Sequence, residues 1–268
     1  ILAAAGFTDV IPAIARIDLA PLKAEACTLA VVRRAAVHDG DGRDVLRDRL
    51  RAYFDTVRAS PDAPQPPIPI DPCAPLTDSG IEELYLAVGP SLDLAGLLGE
   101  LAAELHDALR RADASTPIWF TGLYQRSLYQ SMSGSLRTVT RQLRGSPAAI
   151  EPELVERAQL RIAELRRPKM RAIRTQIHGN LHLGRLLWDG TRFALLDVAG
   201  DLSQPVDARL IKRSPLRDIA SLLLSLDEIA YEAAVEAAHR ANAAPRAFAN
   251  WAERWFVAMA AVLWWMMP

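Results

Sequence analysis

The residues whose types could do chemistry are concentrated between positions 178 and 197. His178, Asn180, His182 and Arg185 lie within one short segment, and Asp197 follows at the end of a second apolar segment. Phosphoryl transfer needs a group that orients and deprotonates the attacking hydroxyl, and carboxylates that hold Mg²⁺ beside the phosphates. The imidazoles, the amide, the guanidinium and the carboxylate therefore indicate a segment arranged for phosphoryl-transfer chemistry.

The spacing of these residues follows the layout of a kinase catalytic loop. Kinases place a carboxylate and an amide metal ligand five residues apart, and a further carboxylate then reaches the metal. Positions 180 and 185 have that spacing, and Asp197 follows across a hairpin. Only Asp197 has the expected type, because Asn180 cannot accept a proton and Arg185 offers only donors and a positive charge. Arg185 could instead pair with Asp197 or contact a phosphate directly.

Each of these residues also has a purely structural interpretation. His178 and His182 could be buried, hydrogen-bonded histidines, and Asp197 could cap a turn at a strand end. Gly179 would allow tight backbone geometry in either case. The combination of residues favours a site more than any one of them does.

The elements that must position this segment are mainly helices. Apolar periodicity and turn residues predict an α+β fold that is mostly helical. Asp189-Gly190 indicates a hairpin between strands at 185–188 and 193–197. Residues 1–6 are predicted to end a helix at Gly6, and 59–78, which has many prolines, to form an irregular loop. Further strands are predicted at 11–17, 27–32 and 174–177, and helices at 43–58, 92–111, 121–143, 150–167, 215–241 and 246–265.

Composition excludes several classes of protein. The 268 residues carry a net charge of −1, so charge gives no reason to expect a nucleic-acid or membrane-surface partner. Cys27 and Cys73 lie far apart, which suits a reducing cytoplasm better than a disulfide framework. The apolar run 255–267 is too short to span a bilayer. We expect it to be a last helix packed on the core; an interfacial anchor or a docking face is the alternative.

Several motifs, in the right order along the chain, resemble those of the maltokinases, which belong to the aminoglycoside-phosphotransferase-like kinases. The resemblance runs from about residue 1 to 256. The segment His178–Arg185 is similar to the family's His-Gly-Asp-x-His-Leu-Gly-Gln. The other matching segments are Gly40-Asp41-Gly42, Ala103-Glu104-Leu105-His106, Tyr124–Met132, Asp197–Asp201 and Arg213–Ala220.

The resemblance implies a protein-kinase-like fold that binds ATP and Mg²⁺ and phosphorylates maltose at its anomeric hydroxyl. Residues 1–37 would be the end of the N-lobe, with two strands and the hinge, and 38–268 a helical C-lobe with an embedded catalytic-loop hairpin at 174–201. Because Ile1 is not a natural start, we expect a piece of a longer chain, with the rest of the N-lobe upstream.

The resemblance also implies roles for single residues. Asn180, His178 and His182 would be the catalytic positions, Arg185 a cofactor contact and Asp197 the metal ligand. The substrate-binding residues would be Tyr124, Arg126, Arg217 and Asp218.

The departures from the family pattern are concentrated at the chemistry. With Asn180, Arg185 and Ala199 in place of Asp, Gln and Glu, the site loses two negative charges and gains one positive charge, a net change of about +3. One hypothesis is a sugar kinase with impaired or lost activity. The others are a pseudokinase module that binds a sugar or a trehalose synthase, and a related aminosugar kinase.

Overall fold

The computed structural model describes residues 2–20, 27–59, 76–113, 118–166, 170–198, 200–201, 203–244 and 246–267. Most of these residues are helical, which agrees with the predicted α+β fold that is mostly helical. The helices are α1 (Gly42–Ala59), α2 (Asp78–Val88), α3 (Ser91–Ala112), α4 (Gly122–Leu143), α5 (Pro152–Glu164), α6 (Val206–Leu210), α7 (Leu216–Arg240) and α8 (Ala249–Trp265). The strands are β1 (Ala13–Leu19), β2 (Cys27–Arg33), β3 (Gly40–Asp41), β4 (Ile118–Trp119), β5 (Ile173–Arg174), β6 (Leu186–Trp188) and β7 (Phe193–Leu195).

Two units make up the chain, and each has its own elements. The main unit comprises Ile1–Ala114, Gln176–Ile211 and Pro215–Pro268, and the small unit comprises Ser115–Thr175 and Lys212–Ser214. The predicted lobe boundary between residues 37 and 38 is a different division, and it stays a prediction.

Four long helices form the hydrophobic core of the main unit. Helices α3 and α7 pack on α8, and α1 packs on α7. Apolar side chains recur at helical spacing on the inner faces, as do Leu46, Leu50 and Phe54 of α1, which are fully buried. Leu181 and Leu183 belong to the same core; they lie in His178–Arg185, which we call the catalytic-loop segment. The loop is therefore fixed on the helices by its own apolar residues.

Helix α8 is the packed last helix that the sequence predicts. Its residues Trp255, Met259 and Leu263 are fully buried, because they lie on the face that meets α3 and α7. No helix among the described residues is long and apolar enough to cross a membrane.

A small three-stranded sheet, in the order β3-β6-β7, carries the end of the catalytic-loop segment. The predicted Asp189-Gly190 hairpin is confirmed: Oδ1 of Asp189 accepts hydrogen bonds from the backbone N–H groups of Thr191 and Arg192, both at 2.9 Å. Gly190 has a φ of 97°, which favours glycine. The predicted strand at 11–17 begins later, at Ala13, because the Ile11 N–H donates to the β7 carbonyl of Leu195 at 2.8 Å.

The antiparallel pair β1 and β2 has almost no buried surface. Every β1 residue is exposed, and Arg33 alone in β2 is half-buried. Large apolar side chains are among them, including Ile14 at 60% and Leu29 at 62% exposure. A ribbon of two strands is marginally stable by itself in water. Its apolar residues are therefore suited to a larger sheet.

The small unit is a helical hairpin beside a short ribbon. Helices α4 and α5 pack on each other, and β4 pairs with β5. Thr121 caps the start of helix α4: its Oγ1 accepts a hydrogen bond from the Tyr124 N–H at 3.1 Å. The Gln125 side chain donates to the carbonyl of Leu165, which ties the start of α4 to the end of α5.

Most predicted elements have the right type, with boundaries displaced by a few residues. Helix α2 was not predicted, although Thr77 signals its start: Oγ1 of Thr77 accepts a hydrogen bond from the Gly80 N–H at 3.1 Å. The short elements β3, β4 and α6 were not predicted either. Most of the predicted 59–78 loop lies outside the described residues.

Candidate active site

One buried carboxylate accepts hydrogen bonds from the backbone of the catalytic-loop segment. Asp218, in the first turn of α7, accepts hydrogen bonds from the backbone N–H of His178 at 2.8 Å and of Gly179 at 2.7 Å. His106 on α3 contacts the same carboxylate through Nε2 at 3.1 Å. Asp218 has no exposed surface. The sequence assigned Asp218 to substrate binding, and that assignment stays a prediction; in the structure its two carboxylate oxygens hold the backbone of the loop.

His178 joins the loop to the segment that follows β7. Its Nδ1 accepts a hydrogen bond from the Asn180 N–H at 3.2 Å, so the ring proton is on Nε2. Nε2 then donates to the backbone carbonyl of Asp197 at 2.9 Å. Burial lowers the pKa of His178 despite the hydrogen bond to Asp197, which favours the charged form. The neutral imidazole thus links the catalytic-loop segment to the backbone at Asp197 by hydrogen bonds.

Glycines allow these segments to approach each other closely. Gly179 has a φ of 84° and Gly200 a φ of 71°, both in the left-handed region. A Cβ on Gly200 would lie 3.0 Å from the carbonyl O of His178. At the start of α1, a Cβ on Gly42 would lie 2.8 Å from the carbonyl O of Leu183. Larger residues at 200 and 42 would therefore displace the loop.

Arg185 and Asp197, the two positions expected to serve the metal, form an ion pair. Arg185 Nη1 lies 3.1 Å from Asp197 Oδ2, and the two side chains are 24% and 18% exposed. The sequence left open whether Arg185 pairs with Asp197 or contacts a phosphate, and the structure has the pair. A guanidinium therefore occupies one face of the carboxylate that a metal would need.

The residues present do not fit a Mg²⁺ site. Magnesium requires several oxygen ligands in near-octahedral geometry. In the described part of the chain, no group of three or more His, Cys, Asp or Glu side chains could hold a metal ion. Ala199, where the family has a carboxylate, lies outside the described residues and has no side-chain donor. The donor set is therefore too small, and its carboxylate is already paired.

Asn180 and His182 complete the loop, and both are half-buried. Within the described part of the chain, the Asn180 carboxamide has no hydrogen-bond partner, so its oxygen can accept from a ligand. Burial, followed by the positive charge of Arg185, lowers the pKa of His182. Near neutral pH the loop thus presents a neutral imidazole and a neutral amide.

The other predicted substrate residues lie on separate elements. Arg217 is exposed at the start of α7 in the main unit. Tyr124 and Arg126 belong to the small unit. The Tyr124 ring packs edge-on against Phe120 at 4.9 Å, and the Arg174 guanidinium lies 4.1 Å from its centroid. Arg126 is exposed.

Two residues that support the loop had no assigned role in the sequence analysis. His106 was recognised only as part of a motif, and it holds Asp218 from α3. Ser225 was not recognised at all: its Oγ accepts from the Leu183 N–H at 3.2 Å and donates to the Leu222 carbonyl at 2.8 Å. A polar residue on the apolar face of each helix was the available signal.

Comparison with known proteins finds solved glucosamine kinase structures that have the same fold as this chain. No protein-family model matches the chain. A solved structure titled glucosamine kinase in complex with glucosamine, ADP and inorganic phosphate has a TM-score of 0.70 and 22% identity; the match covers 99% of this chain and 57% of that one. A second glucosamine kinase structure, crystal form B, has a TM-score of 0.68 and 21% identity, over 99% and 54%. The chain thus spans a little over half the length of these structures and shares their fold.

Proposed function

We propose that this chain is part of a divergent, maltokinase-like sugar phosphotransferase whose site holds a small sugar but has lost Mg²⁺-dependent phosphoryl transfer. The ion pair between Arg185 and Asp197, at 3.1 Å, carries the proposal. A carboxylate already neutralised by a guanidinium binds Mg²⁺ weakly, because a cation would have to displace the arginine. The fold shared with glucosamine kinases supports the assignment to sugar kinases.

The loss of the base at position 180 points the same way. Asn180 can orient a sugar hydroxyl through its carboxamide oxygen, but it cannot take the proton. General base catalysis contributes roughly 10²- to 10⁴-fold in rate. Loss of that contribution together with the metal leaves binding as the better retained property of the site. The undisturbed support from Asp218, His106 and Ser225 is consistent with a loop that is still used.

The lobes and the ligand contacts are part of the same proposal. Residues 1–37 would end an N-lobe, to which the exposed apolar side chains of β1 and β2 are suited, and 38–268 would be the C-lobe. Within the main unit, the sugar contacts would be Asn180, His182 and Arg217. The substrate-binding assignment of Tyr124 and Arg126 rests on the resemblance alone. Maltose is the first candidate ligand. A trehalose synthase, as a fused or separate partner, would give the bound sugar its metabolic context.

A working aminosugar kinase is the second candidate. The observation in its favour is the similarity to a glucosamine kinase bound to glucosamine, ADP and inorganic phosphate. Arg185 would then have to leave Asp197 and contact a phosphate of the nucleotide directly. This alternative requires ATP to bind, whereas the first proposal requires only the sugar.

Thermal shift assays separate the two candidates. We expect maltose or glucosamine to raise the melting temperature of the purified protein equally in EDTA and in MgCl₂, with no added effect of ATP. A stabilisation by ATP that needs Mg²⁺ would favour the working kinase. If neither sugar stabilises the protein, the proposed binding function is wrong.

A further inference from the structure

A second concave site lies in the main unit, on α2, α3 and the last turn of α8. It is a cleft of about 350 Å³, and none of its residues belongs to the catalytic-loop segment. Its chemically distinctive lining consists of two aromatic rings, two carboxylates and a helical glycine: Tyr85, Trp265, Asp93, Glu100 and Gly96. This combination needs an explanation that the proposed sugar site does not provide.

The polar groups of this cleft are almost all acceptors. Asp93 and Glu100 are exposed and stand two turns apart on α3. Neither has an ion-pair partner among the residues that the structure describes. The Tyr85 hydroxyl donates to Oδ1 of Asp93 at 2.5 Å, which holds the ring at the cleft and leaves the second oxygen of Asp93 available. Apart from the Trp265 indole N–H, the lining side chains therefore offer negative charge without a donor.

The aromatic rings add a surface that attracts cations. Tyr85 is 38% exposed and Trp265 45% exposed, although both are large and partly apolar. The face of an aromatic ring carries partial negative charge and binds an organic cation, most strongly when the ring is that of tryptophan. The aromatic rings and the carboxylates therefore both favour a positively charged ligand.

Gly96 lines the cleft without a side chain, although packing does not require a glycine there. A Cβ at Gly96 would meet only Met266 Cγ, at 3.9 Å, which is an ordinary contact. At Gly99, one turn along the helix, a Cβ would lie 2.5 Å from the carbonyl O of Leu263, so close helix packing explains that glycine. A glycine in a helix interior costs about 0.5–1 kcal/mol relative to alanine. The absence of a side chain at Gly96 leaves room in this part of the cleft.

We propose that this cleft binds a small organic ammonium ion, with the Tyr85 and Trp265 rings against its alkyl groups and Glu100 and Asp93 balancing its charge. A neutral sugar would call for side-chain donors as well as acceptors. A bare metal ion would need converging ligands, and no such cluster exists among the described residues. The proposal does not depend on the function of the catalytic-loop segment.

Calorimetric titration of the purified protein with choline tests the site. The control ligand is 3,3-dimethylbutan-1-ol, which has the shape of choline without its charge. We expect choline to bind and the neutral alcohol not to bind. Glu100→Gln should weaken choline binding by about fivefold. Gly96→Leu should abolish choline binding, because the leucine side chain would fill part of the cleft. Glu104→Gln, an exposed change on the same helix outside the cleft, should leave binding unchanged.

Three results would overturn the proposal. These are no choline binding, equal binding of choline and the neutral alcohol, or equal weakening by Glu100→Gln and Glu104→Gln. Binding of maltose that is lost in Gly96→Leu would also overturn it, in favour of a second sugar site. Because Glu100→Gln removes only an exposed charge, it keeps the test decisive even where Gly96→Leu disturbs folding.

Discussion

The guanidinium of Arg185 lies 3.1 Å from the carboxylate of Asp197, the residue that the resemblance would make the metal ligand. Both side chains are mostly buried, so solvent screens their attraction only in part. Under the proposed function, Arg185 supplies the positive charge beside Asp197 that a metal ion would otherwise supply. The guanidinium offsets the charge of the carboxylate through one contact, between Nη1 and Oδ2.

A double-mutant cycle measures the strength of this pair. We expect Arg185→Met and Asp197→Asn to show a coupling energy of about 1 kcal/mol in urea unfolding, because the pair is partly desolvated. The exposed pair Arg161–Glu164, at 3.5 Å, is the matched control and should couple by less than about 0.5 kcal/mol. Equal coupling in the two pairs would mean that the Arg185–Asp197 pair is as weak as a surface one.

Removing the Asp218 carboxylate should release the catalytic-loop segment. Asp218→Ala leaves the buried N–H groups of His178 and Gly179 without their acceptor, so we expect a loss of about 2–4 kcal/mol of unfolding free energy. Asp227→Ala, an exposed change on the same helix, should stay within about 0.5 kcal/mol of the parent protein. Urea denaturation compares them, and a loss as small at 218 as at 227 would contradict the anchoring role.

The stability of the protein should fall as the pH decreases through the ordinary histidine range. The folded state lowers the pKa of His178 and His182, so the unfolded chain binds more protons below about pH 6.5. The contribution of these histidines is therefore present above that pH and lost below it. We expect the melting temperature to fall between pH 7.5 and 5.5, and His178→Gln, which cannot titrate, to reduce that fall. An identical pH profile in His178→Gln would rule out a contribution from this residue.

Glycine-to-alanine substitutions should change the free energy of unfolding in opposite directions at two helical positions. Gly42→Ala places a Cβ 2.8 Å from the Leu183 carbonyl, so we expect a loss of about 1–3 kcal/mol together with weaker sugar binding. At Gly134 of α4 a Cβ meets nothing within 4 Å, and alanine should add about 0.5–1 kcal/mol. Thermal unfolding of both variants measures whether each substitution stabilises or destabilises the protein. A stabilising Gly42→Ala would show that the loop does not rest on α1.

The sequence was sufficient for the long helices and the hairpin because local rules determine them. Apolar periodicity marks α1, α3 and α7, and Asp189-Gly190 marks the turn between β6 and β7. Helix α2 was missed because it is short and follows a proline-rich segment, although Thr77 gave a capping signal.

The contacts beneath the candidate site depend on residues far apart in the chain. Asp218 reaches His178 across 40 positions, and His106 reaches Asp218 across 112. No local pattern shows that the Asp218 carboxylate faces backbone N–H groups, so these contacts could not be predicted from the sequence. The ion pair of Arg185 and Asp197 was foreseeable as one of two possibilities, since opposite charges flank the hairpin.

The release of ADP from ATP in the presence of maltose and glucosamine tests the central claim most directly. We expect the purified protein with MgCl₂ to release no ADP above the sugar-free background, while the sugar still raises its melting temperature. Asn180→Asp combined with Arg185→Gln restores a base and removes the guanidinium from Asp197, and we expect ADP release to rise in this variant. Sugar-dependent ADP release by the unchanged protein, abolished by Asp197→Asn, would contradict the account, because Asp197 would then be serving catalysis despite its pairing with Arg185.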